Sequence, residues 1–176
     1  ADGTVIINNF LFSSDCISTL EILKSAGTKI ETLQGKVIVK GCKGASFTEP
    51  DDILYAGNSG TAVRLMCGAL CAAPEGSMFI LSGDSSINKR PMQRIIEPLK
   101  KMGAAIYGRN KSTLAPIVIF GSSGKLKGKK IDLAVSSAQV KSCITLAALF
   151  ADGITEISQP QKSRDHTERM LEYFGA

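Results

Sequence analysis

Three helical segments of this chain end in the same way and at nearly the same spacing, which constrains the fold more than any other feature. Apolar residues recur at helical spacing over residues 15–27, 89–103 and 165–175. Each segment closes on a glycine, and these glycines lie 76 and 72 residues apart: Gly27, Gly103 and Gly175. Glycine is favoured just after a helix because it adopts the left-handed conformation without steric cost. A period of about seventy residues predicts a repeated supersecondary unit.

Short segments of strand composition precede these helices and keep the same phase. They cover residues 3–7, 76–81 and 153–157, and each begins with a glycine. A hairpin pattern follows each of the first two helices, with paired segments at 29–33 and 36–39, then at 104–107 and 117–120. The repeated unit is therefore predicted to be β-α-β-α-β-β.

The remaining helix of each unit is predicted to be buried. Residues 61–73 carry Arg64 as their only charge, and residues 137–151 carry only Lys141, so both helices are apolar on nearly every side. The helices that end in glycine instead have one apolar stripe beside charged residues. We therefore predict an α/β fold in which the units pack around a pseudo-threefold axis, with apolar helices inside and amphipathic helices outside.

The length and the phase of the repeat indicate how the domain is organised. The chain has 176 residues, of which 44% are hydrophobic, enough for the core of one domain. The repeat calls for a further buried helix before Ala1 and a final hairpin after Gly175, and the sequence contains neither. We expect residues 1–176 to be a single domain and a piece of a longer polypeptide, lacking the first core helix and the last hairpin.

The charge of the chain argues against a nucleic-acid partner. The formal net charge is +5, but the cations are scattered, apart from four lysines between Lys125 and Lys130, which we interpret as a solvated turn. Tryptophan is absent and other aromatic residues are few, so base stacking has little support. An acidic small molecule explains the charge better than a nucleic acid does.

The cysteines and the histidine give no sign of a metal site. The five cysteines have no CxxC spacing: Cys16, Cys42, Cys67, Cys71 and Cys143. Cys67 and Cys71 are predicted to be small buried hydrophobes, and the single histidine, His166, has no ligand-spaced partner. This pattern fits a reducing compartment. Because no segment has the pattern of a signal peptide or a membrane span, we expect a cytoplasmic protein without membrane contact.

Small polar residues and cations cluster at four predicted helix starts. These lie in residues 57–64, 83–92, 136–142 and 163–168. Backbone N–H groups and the helix dipole attract anions at such positions. The repeat is expected to gather the four loops at one end of the domain, which predicts a site for a phosphorylated or carboxylated ligand. None of their carboxylates is convincing as a general acid or base, so the domain is expected to bind and not to complete a reaction alone.

Some of these residues also have a purely structural interpretation. Residues 58–61 supply an N-cap, but Arg64 on an apolar helix requires a carboxylate or phosphate partner. Lys89 and Arg90 are predicted to lie in the first turn of a helix that Pro91 begins. There they conflict with the helix dipole unless an anion binds or both face water.

The last two helix starts combine capping residues with polar groups that capping does not explain. Ser137 is interpreted as a cap, whereas a glutamine and a lysine follow it into an apolar helix. Asp165 and Glu168 fit a capping box, which accounts for both acids structurally, and Arg164 before them is a candidate anion ligand. A general-base role for His166 is disfavoured because no nucleophile lies in frame with it.

Four runs of sequence, in this order, resemble the 5-enolpyruvylshikimate-3-phosphate synthases. They are Gly57-Asn58-Ser59-Gly60-Thr61-Ala62-Val63-Arg64, Gly83-Asp84 with Lys89-Arg90-Pro91-Met92, Ser137-Ala138-Gln139-Val140-Lys141-Ser142, and Ser163-Arg164-Asp165-His166-Thr167-Glu168-Arg169-Met170-Leu171. These transferases of the shikimate pathway, which leads to the aromatic amino acids, move the enolpyruvyl group of phosphoenolpyruvate to shikimate 3-phosphate. Each has two similar domains of three β-α-β-α-β-β units, an inside-out barrel. The resemblance implies that this chain is most of the first domain.

The resemblance implies a role for residues at the last two helix starts. Shikimate 3-phosphate would be held by Ser137, Gln139 and Arg164. Ser163 would be a further contact, and Ala138 would contribute only its backbone.

The resemblance implies that the first two helix starts hold phosphoenolpyruvate. Gly60 and Arg90 would line this site, with Gln139 shared between the two substrates. Three more residues would support the loop: Asn58, Thr61 and Arg64. The family's inhibitor glyphosate would occupy the same site, where a glycine at position 60 leaves room for it. The reaction needs no metal, nucleotide or redox cofactor, and no catalytic residue is assigned to this chain.

The resemblance also implies that much of the enzyme lies elsewhere. A Lys-Ser-x-x-x-Arg segment would precede Ala1, and the catalytic acid and base groups would belong to the second domain, so the chain alone is expected to be inactive. Two alternatives remain open. One is a fragment of a UDP-N-acetylglucosamine enolpyruvyl transferase, which the 89–91 and 164–167 runs disfavour. The other is a non-catalytic module that binds anions or nucleic acid, for which the pI near 9.0 is the main support.

Overall fold

A computed structural model describes residues 3–41, 44 and 46–176 of the chain. Cys42, one of the five cysteines, lies outside the described residues. The first unit comprises β1 (Thr4–Asn8), α1 (Ser14–Ser25), β2 (Lys29–Leu33) and β3 (Lys36–Lys40). The second comprises β4 (Leu54–Tyr55), α2 (Gly60–Leu70), β5 (Met78–Ser82), a 3-10 turn (Ile87–Lys89), α3 (Gln93–Lys101), β6 (Ala105–Gly108), the single turn α4 (Arg109–Ser112) and β7 (Leu114–Phe120). The third comprises β8 (Lys130–Asp132), α5 (Ala138–Ala148), β9 (Glu156–Ser158) and α6 (His166–Tyr173).

The strands form three sheets that repeat one pairing scheme. The middle sheet has the order β4-β5-β7-β6, with β4 parallel to β5 and β5 antiparallel to β7. The first sheet, β1-β3-β2, repeats the antiparallel part of this order, and β8-β9 repeats the parallel part. The predicted β-α-β-α-β-β unit is therefore confirmed, and the second unit contains all of it.

The three glycines that define the repeat end their helices with the same hydrogen bonds. Gly27, Gly103 and Gly175 have φ of 90°, 98° and 81°. After each of them, the next residue donates its N–H to the carbonyl five positions back, as in Thr28 to Leu23. This is the Schellman motif, which needs a residue in the left-handed region. The prediction from the spacing of the glycines is confirmed.

The two predicted core helices are buried and pack directly against each other. Most of α2 and α5 is inaccessible to solvent, including Met66, Cys67, Cys143 and Ile144. Their backbones come so close at Gly68 that a Cβ atom there would lie 2.0 Å from the carbonyl oxygen of Cys143. Burial raises the pKa of the Cys67 and Cys71 thiols, and that of Cys143 to about 12. These thiols are therefore packed as neutral groups, as predicted for Cys67 and Cys71.

The start of α3 differs from the prediction. The helix begins at Gln93, so Lys89 and Arg90 are not in its first turn. Arg90 is extended, with φ −75° and ψ 141°, because the residue before a proline is disfavoured in the helical region. The expected conflict between the two cations and the helix dipole is therefore absent. The buried face of α3 agrees with the predicted stripe and includes Ile95, Ile96 and Leu99.

Lys125, Lys127 and Lys129 lie exposed in the connection between β7 and β8, as expected, and Lys130 begins β8. Lys125 pairs with Glu75, and Lys127 pairs with Asp152 at 2.9 Å. None of the helices in the described part of the chain is long and apolar enough to cross a membrane.

Candidate active site at the starts of α2 and α5

The start of α2 is capped by the residue that directly precedes it in the sequence. Ser59 caps the helix by accepting a hydrogen bond from the N–H of Ala62 at 3.1 Å, and Gly60 is the first helical residue. The capping prediction is confirmed. The Ser59 side chain is turned into the cap and buried. The glycine after it is also buried, and its lack of a side chain lets neighbouring groups approach the backbone closely.

Arg64 connects the two core helices through a neutral partner. Its Nη1 donates to Oε1 of Gln139 at 2.7 Å, and Nε2 of Gln139 donates to Oγ1 of Thr61 at 2.8 Å. The expectation that Arg64 requires a carboxylate or phosphate partner is thus wrong for this structure, because an amide 75 positions away satisfies it. An amide accepts the hydrogen bond but leaves the positive charge uncompensated.

Arg90 reaches the same place from the loop before α3. Its Nη2 donates to Oδ1 of Asn58 at 2.8 Å and to Oγ of Ser86 at 3.3 Å. A Cβ atom at Gly60 would lie 2.9 Å from Nη1 of Arg64 and 2.9 Å from Nη1 of Arg90. The two guanidinium groups therefore converge on Gly60.

Neither Arg64 nor Arg90 forms an ion pair with an acidic residue in the described part of the chain. Within residues 3–41, 44 and 46–176, no arginine lies within 4.0 Å of a carboxylate oxygen. Partial burial lowers the pKa of Arg64, and the nearby charges of Arg90 and Arg94 lower it further. Two like charges held together in a half-buried position favour a bound anion.

A cavity of about 210 Å³ lies between α2, α5 and α6, and Gln139, the partner of Arg64, is in its wall. Its lining comprises Thr61, Leu65, Ala138, Gln139, Ser142, Arg164, His166 and Thr167. Four residues singled out from the sequence thus share one cavity. Ser137 caps α5 by accepting from the N–H of Val140 at 3.4 Å, and Ser163 donates to Gln159 at 3.0 Å. Neither serine is part of the lining, so the structure brings them near the cavity but not into it.

Residues 1–176 match the family described as EPSP synthase (3-phosphoshikimate 1-carboxyvinyltransferase). The chain belongs to the EPSP synthase family. It is 48% identical over 177 residues to the 3-phosphoshikimate 1-carboxyvinyltransferase of Petrotoga mobilis, and 46% identical over 175 residues to that of Bacillus subtilis. These two matches include 100% and 99% of this chain, but only 40% of the length of each relative.

A solved member of the EPSP synthase family has the same fold. The EPSP synthase from Acinetobacter baumannii superposes with a TM-score of 0.92 at 42% identity, over 99% of this chain and 39% of that one. The predicted enolpyruvyl transferase fold is therefore confirmed.

The predicted capping box at the start of α6 is wrong. Asp165 occupies the N-cap position, but its side chain makes no capping hydrogen bond. Glu168 forms an ion pair with Lys141 of α5, whose side chain is only 11% exposed. A buried ammonium group is costly unless it is paired, whereas a helix start near solvent can be hydrated. Glu168 therefore pairs with the buried Lys141 and does not cap α6.

The Lys141–Glu168 pair gives a first testable prediction. Lys141→Met should lower the free energy of unfolding by about 1–3 kcal/mol, because it leaves a half-buried carboxylate unpaired. Lys127→Met is the matched control, since Lys127 and Asp152 form a pair of the same type that is mostly exposed, so its loss should lower the free energy of unfolding much less. Chemical denaturation of both variants measures the difference. Equal losses in the two variants would show that the Lys141 pair does not stabilise the packing of α5 and α6.

Sequence reasoning missed several residues of this site. Asp84 binds Asn58 and the N–H groups of Ser86 and Ile87, and the Asp-x-Ser pattern of an Asx turn was the available signal. The hydroxyl groups of Ser142 and Thr167 lie 2.6 Å apart in the cavity wall. No local pattern marks that contact, since it joins two different helices.

Proposed function

We propose that this chain forms the part of an EPSP synthase that binds shikimate 3-phosphate and phosphoenolpyruvate. One observation carries the proposal: Arg64 and Arg90 converge on Gly60 without a carboxylate partner among the described residues, and Gln139, which bonds Arg64, lines a cavity together with Arg164. Phosphate and carboxylate groups are the ligands that guanidinium groups bind best, through paired charge-assisted hydrogen bonds. Both substrates of the transferase carry such groups.

Shikimate 3-phosphate is proposed to occupy the cavity between α5 and α6. Arg164 would bind its phosphate, and Gln139 and the Ala138 backbone would contact the ring. Ser137 and Ser163 would join as further contacts. To contact the substrate, the hydroxyl of Ser163 would have to give up its present hydrogen bond to Gln159.

Phosphoenolpyruvate is proposed to bind at Gly60, against Arg90. Gln139 lies between the two sites because it bonds Arg64 and Thr61 at once. It would contact both substrates and hold them next to each other, which lowers the entropic cost of reaction. Asn58, Thr61 and Arg64 are proposed to support the loop.

The chain is proposed to work together with the rest of the enzyme. Enolpyruvyl transfer requires proton transfer to and from the substrates, and the resemblance to the family assigns the acid and base groups to the second domain. The remaining part of the polypeptide would supply those groups. The cytoplasmic location expected from the sequence stays a prediction.

Calorimetric titration of the 176-residue chain tests the binding proposal. Shikimate 3-phosphate should bind, and Arg164→Gln should weaken it at least about tenfold through the loss of a charge-assisted contact. UDP-N-acetylglucosamine and a DNA or RNA oligomer serve as competing ligands. Binding of either competitor without a response to shikimate 3-phosphate would contradict the proposal.

A chimera tests the activity. The segment is joined to the part of the Bacillus subtilis relative that it does not cover, in place of the 46% identical segment of that enzyme. Release of phosphate from phosphoenolpyruvate that depends on shikimate 3-phosphate is the expected result. A folded but inactive chimera would contradict the assignment.

Gly60→Ala should affect glyphosate more than phosphoenolpyruvate. The added methyl group would lie between two guanidinium groups, each 2.9 Å away. Because both are ends of flexible side chains, they can shift and the fold is retained. We expect the inhibition constant for glyphosate to rise at least about tenfold and the KM for phosphoenolpyruvate to rise less, as steric crowding penalises the worse-fitting ligand. Unchanged inhibition of the chimera would contradict this.

A further inference from the structure

Asp84 is held by hydrogen bonds through both its carboxylate oxygens and its backbone N–H group. Its Oδ1 accepts from the backbone N–H groups of Ser86 and Ile87, each at 2.9 Å, and its own N–H donates to the carbonyl of Gly57 at 2.8 Å. Its Oδ2 accepts from Nδ2 of Asn58 at 2.7 Å. The bond from Ile87, followed by that from Asn58, lowers the pKa of Asp84. The carboxylate is therefore ionised at neutral pH and fixed in direction.

The carboxylate determines which way the Asn58 amide faces. An ionised carboxylate only accepts hydrogen bonds, and a guanidinium group only donates them. Asn58 therefore has to turn its NH₂ group to Asp84 and its oxygen to Arg90, as observed. The Oδ1 atom of Asn58 therefore holds Nη2 of Arg90 at a distance of 2.8 Å, and Nη1 of Arg90 faces Gly60. Among the residues that the structure describes, Nη1 of Arg90 has no acceptor.

The neutral amide also keeps the negative charge at a distance from Arg90. Asp84 is not in ion-pair contact with the guanidinium group, although its charge is close enough to be felt. A carboxylate in the position of Asn58 would orient Arg90 equally well. It would also neutralise the cation and compete with an incoming anion.

We propose that Asp84 is a positioning residue that aims Arg90 at Gly60 through Asn58 and leaves the charge of Arg90 free for the ligand. The identity of that ligand, phosphoenolpyruvate, rests on the proposed function. The orientation of Arg90 towards an anion does not.

Exchanging the two residues separates orientation from charge. The double variant Asn58→Asp with Asp84→Asn leaves the net charge unchanged. Each hydrogen bond that links the N–H groups of Ser86 and Ile87 to residue 84, residue 84 to residue 58, and residue 58 to Arg90 still has a donor and an acceptor. The negative charge, however, now touches Arg90. We expect an unchanged unfolding midpoint and at least about a tenfold loss of affinity for inorganic phosphate and phosphoenolpyruvate. The readout is the Arg90 side-chain signal in NMR titrations of the ¹⁵N-labelled 176-residue chain.

The single variant Asp84→Asn tests the sign of the effect. Removing a negative charge strengthens anion binding if only electrostatics matters. If Asp84 positions Arg90, binding of phosphate weakens instead, by about three- to tenfold, because Asn58 is no longer held in one orientation. Asp52→Asn is the matched control. It removes an exposed carboxylate that also bonds a backbone N–H group, that of Ile53 at 2.6 Å, and should leave phosphate binding unchanged.

The outcomes separate this proposal from the proposed function. Wild-type affinity in the exchanged variant, tighter binding in Asp84→Asn, or no response of Arg90 to phosphate in the wild type would each overturn the role of Asp84. A response of Arg90 to phosphate that is lost on exchange, in a chain that binds neither shikimate 3-phosphate nor phosphoenolpyruvate, would support that role and overturn the proposed function alone.

Discussion

Gly68→Ala is expected to destabilise the domain by at least about 2–3 kcal/mol, because the contact between α2 and α5 has no room for a methyl group. The new Cβ would lie 2.0 Å from the carbonyl oxygen and 2.8 Å from the carbonyl carbon of Cys143. Both atoms belong to the backbone of a buried helix, so no side chain can rotate away. The helices would have to separate, which loosens the packing that places Gln139 near Arg64.

The expected decrease in the free energy of unfolding is opposite to the usual effect of Gly→Ala in a helix. On a helix without such a contact, Gly→Ala stabilises by about 1 kcal/mol through helix propensity. Urea denaturation of Gly68→Ala measures this change, and increased stability would show that α2 and α5 are not in backbone contact at Gly68. As a control, adding Cys143→Ala to the variant should restore nothing, because the crowded atoms are those of the backbone and not the thiol.

Arg90→Met is expected to reduce the affinity for phosphoenolpyruvate about a hundredfold, since a charged, oriented donor is lost from a half-buried site. The fold should be retained, because the hydrogen bonds of Arg90 go to Asn58 and Ser86, both exposed. In the chimera, the KM for phosphoenolpyruvate should rise far more than the KM for shikimate 3-phosphate.

Arg169→Met is the matched control for Arg90→Met. It removes the same charge from an exposed position on α6, and both KM values should stay within about twofold of the unmodified chimera, as expected of a solvated surface charge. If Arg90→Met raised both KM values equally, or neither, Arg90 would not be a specific contact of phosphoenolpyruvate.

Features that depend on neighbouring residues could be predicted from the sequence. The three Schellman glycines follow from the left-handed conformation that is favoured just after a helix, and the burial of α2 and α5 follows from their lack of charge. The start of α3 could also have been placed, since Pro91 restricts Arg90 to an extended conformation. The prediction used the proline as a helix start and overlooked its effect on the residue before it.

The capping box failed for a different reason. Asp165 and Glu168 have the spacing of that motif, so local chemistry favours it. Glu168 pairs instead with Lys141, a residue 27 positions earlier. The cost of an unpaired buried charge exceeds the benefit of one more hydrogen bond at a hydrated helix end. Such a competition cannot be judged until it is known which helices touch.

The sequence by itself determined the repeat, the ends of its helices and which helices are buried, because these depend on backbone conformation and apolar pattern over a few residues. Only the tertiary structure decided the partners of the charged groups. Arg64 meets Gln139 across 75 positions and Arg90 meets Asn58 across 32, contacts that exist because α2 packs on α5 at Gly68 and the Asp84 turn lies beside Gly57. Since the partner of a charged group is whatever lies nearest in space, and these partners are neutral amides, the positive charge at Gly60 is a property of the packed molecule.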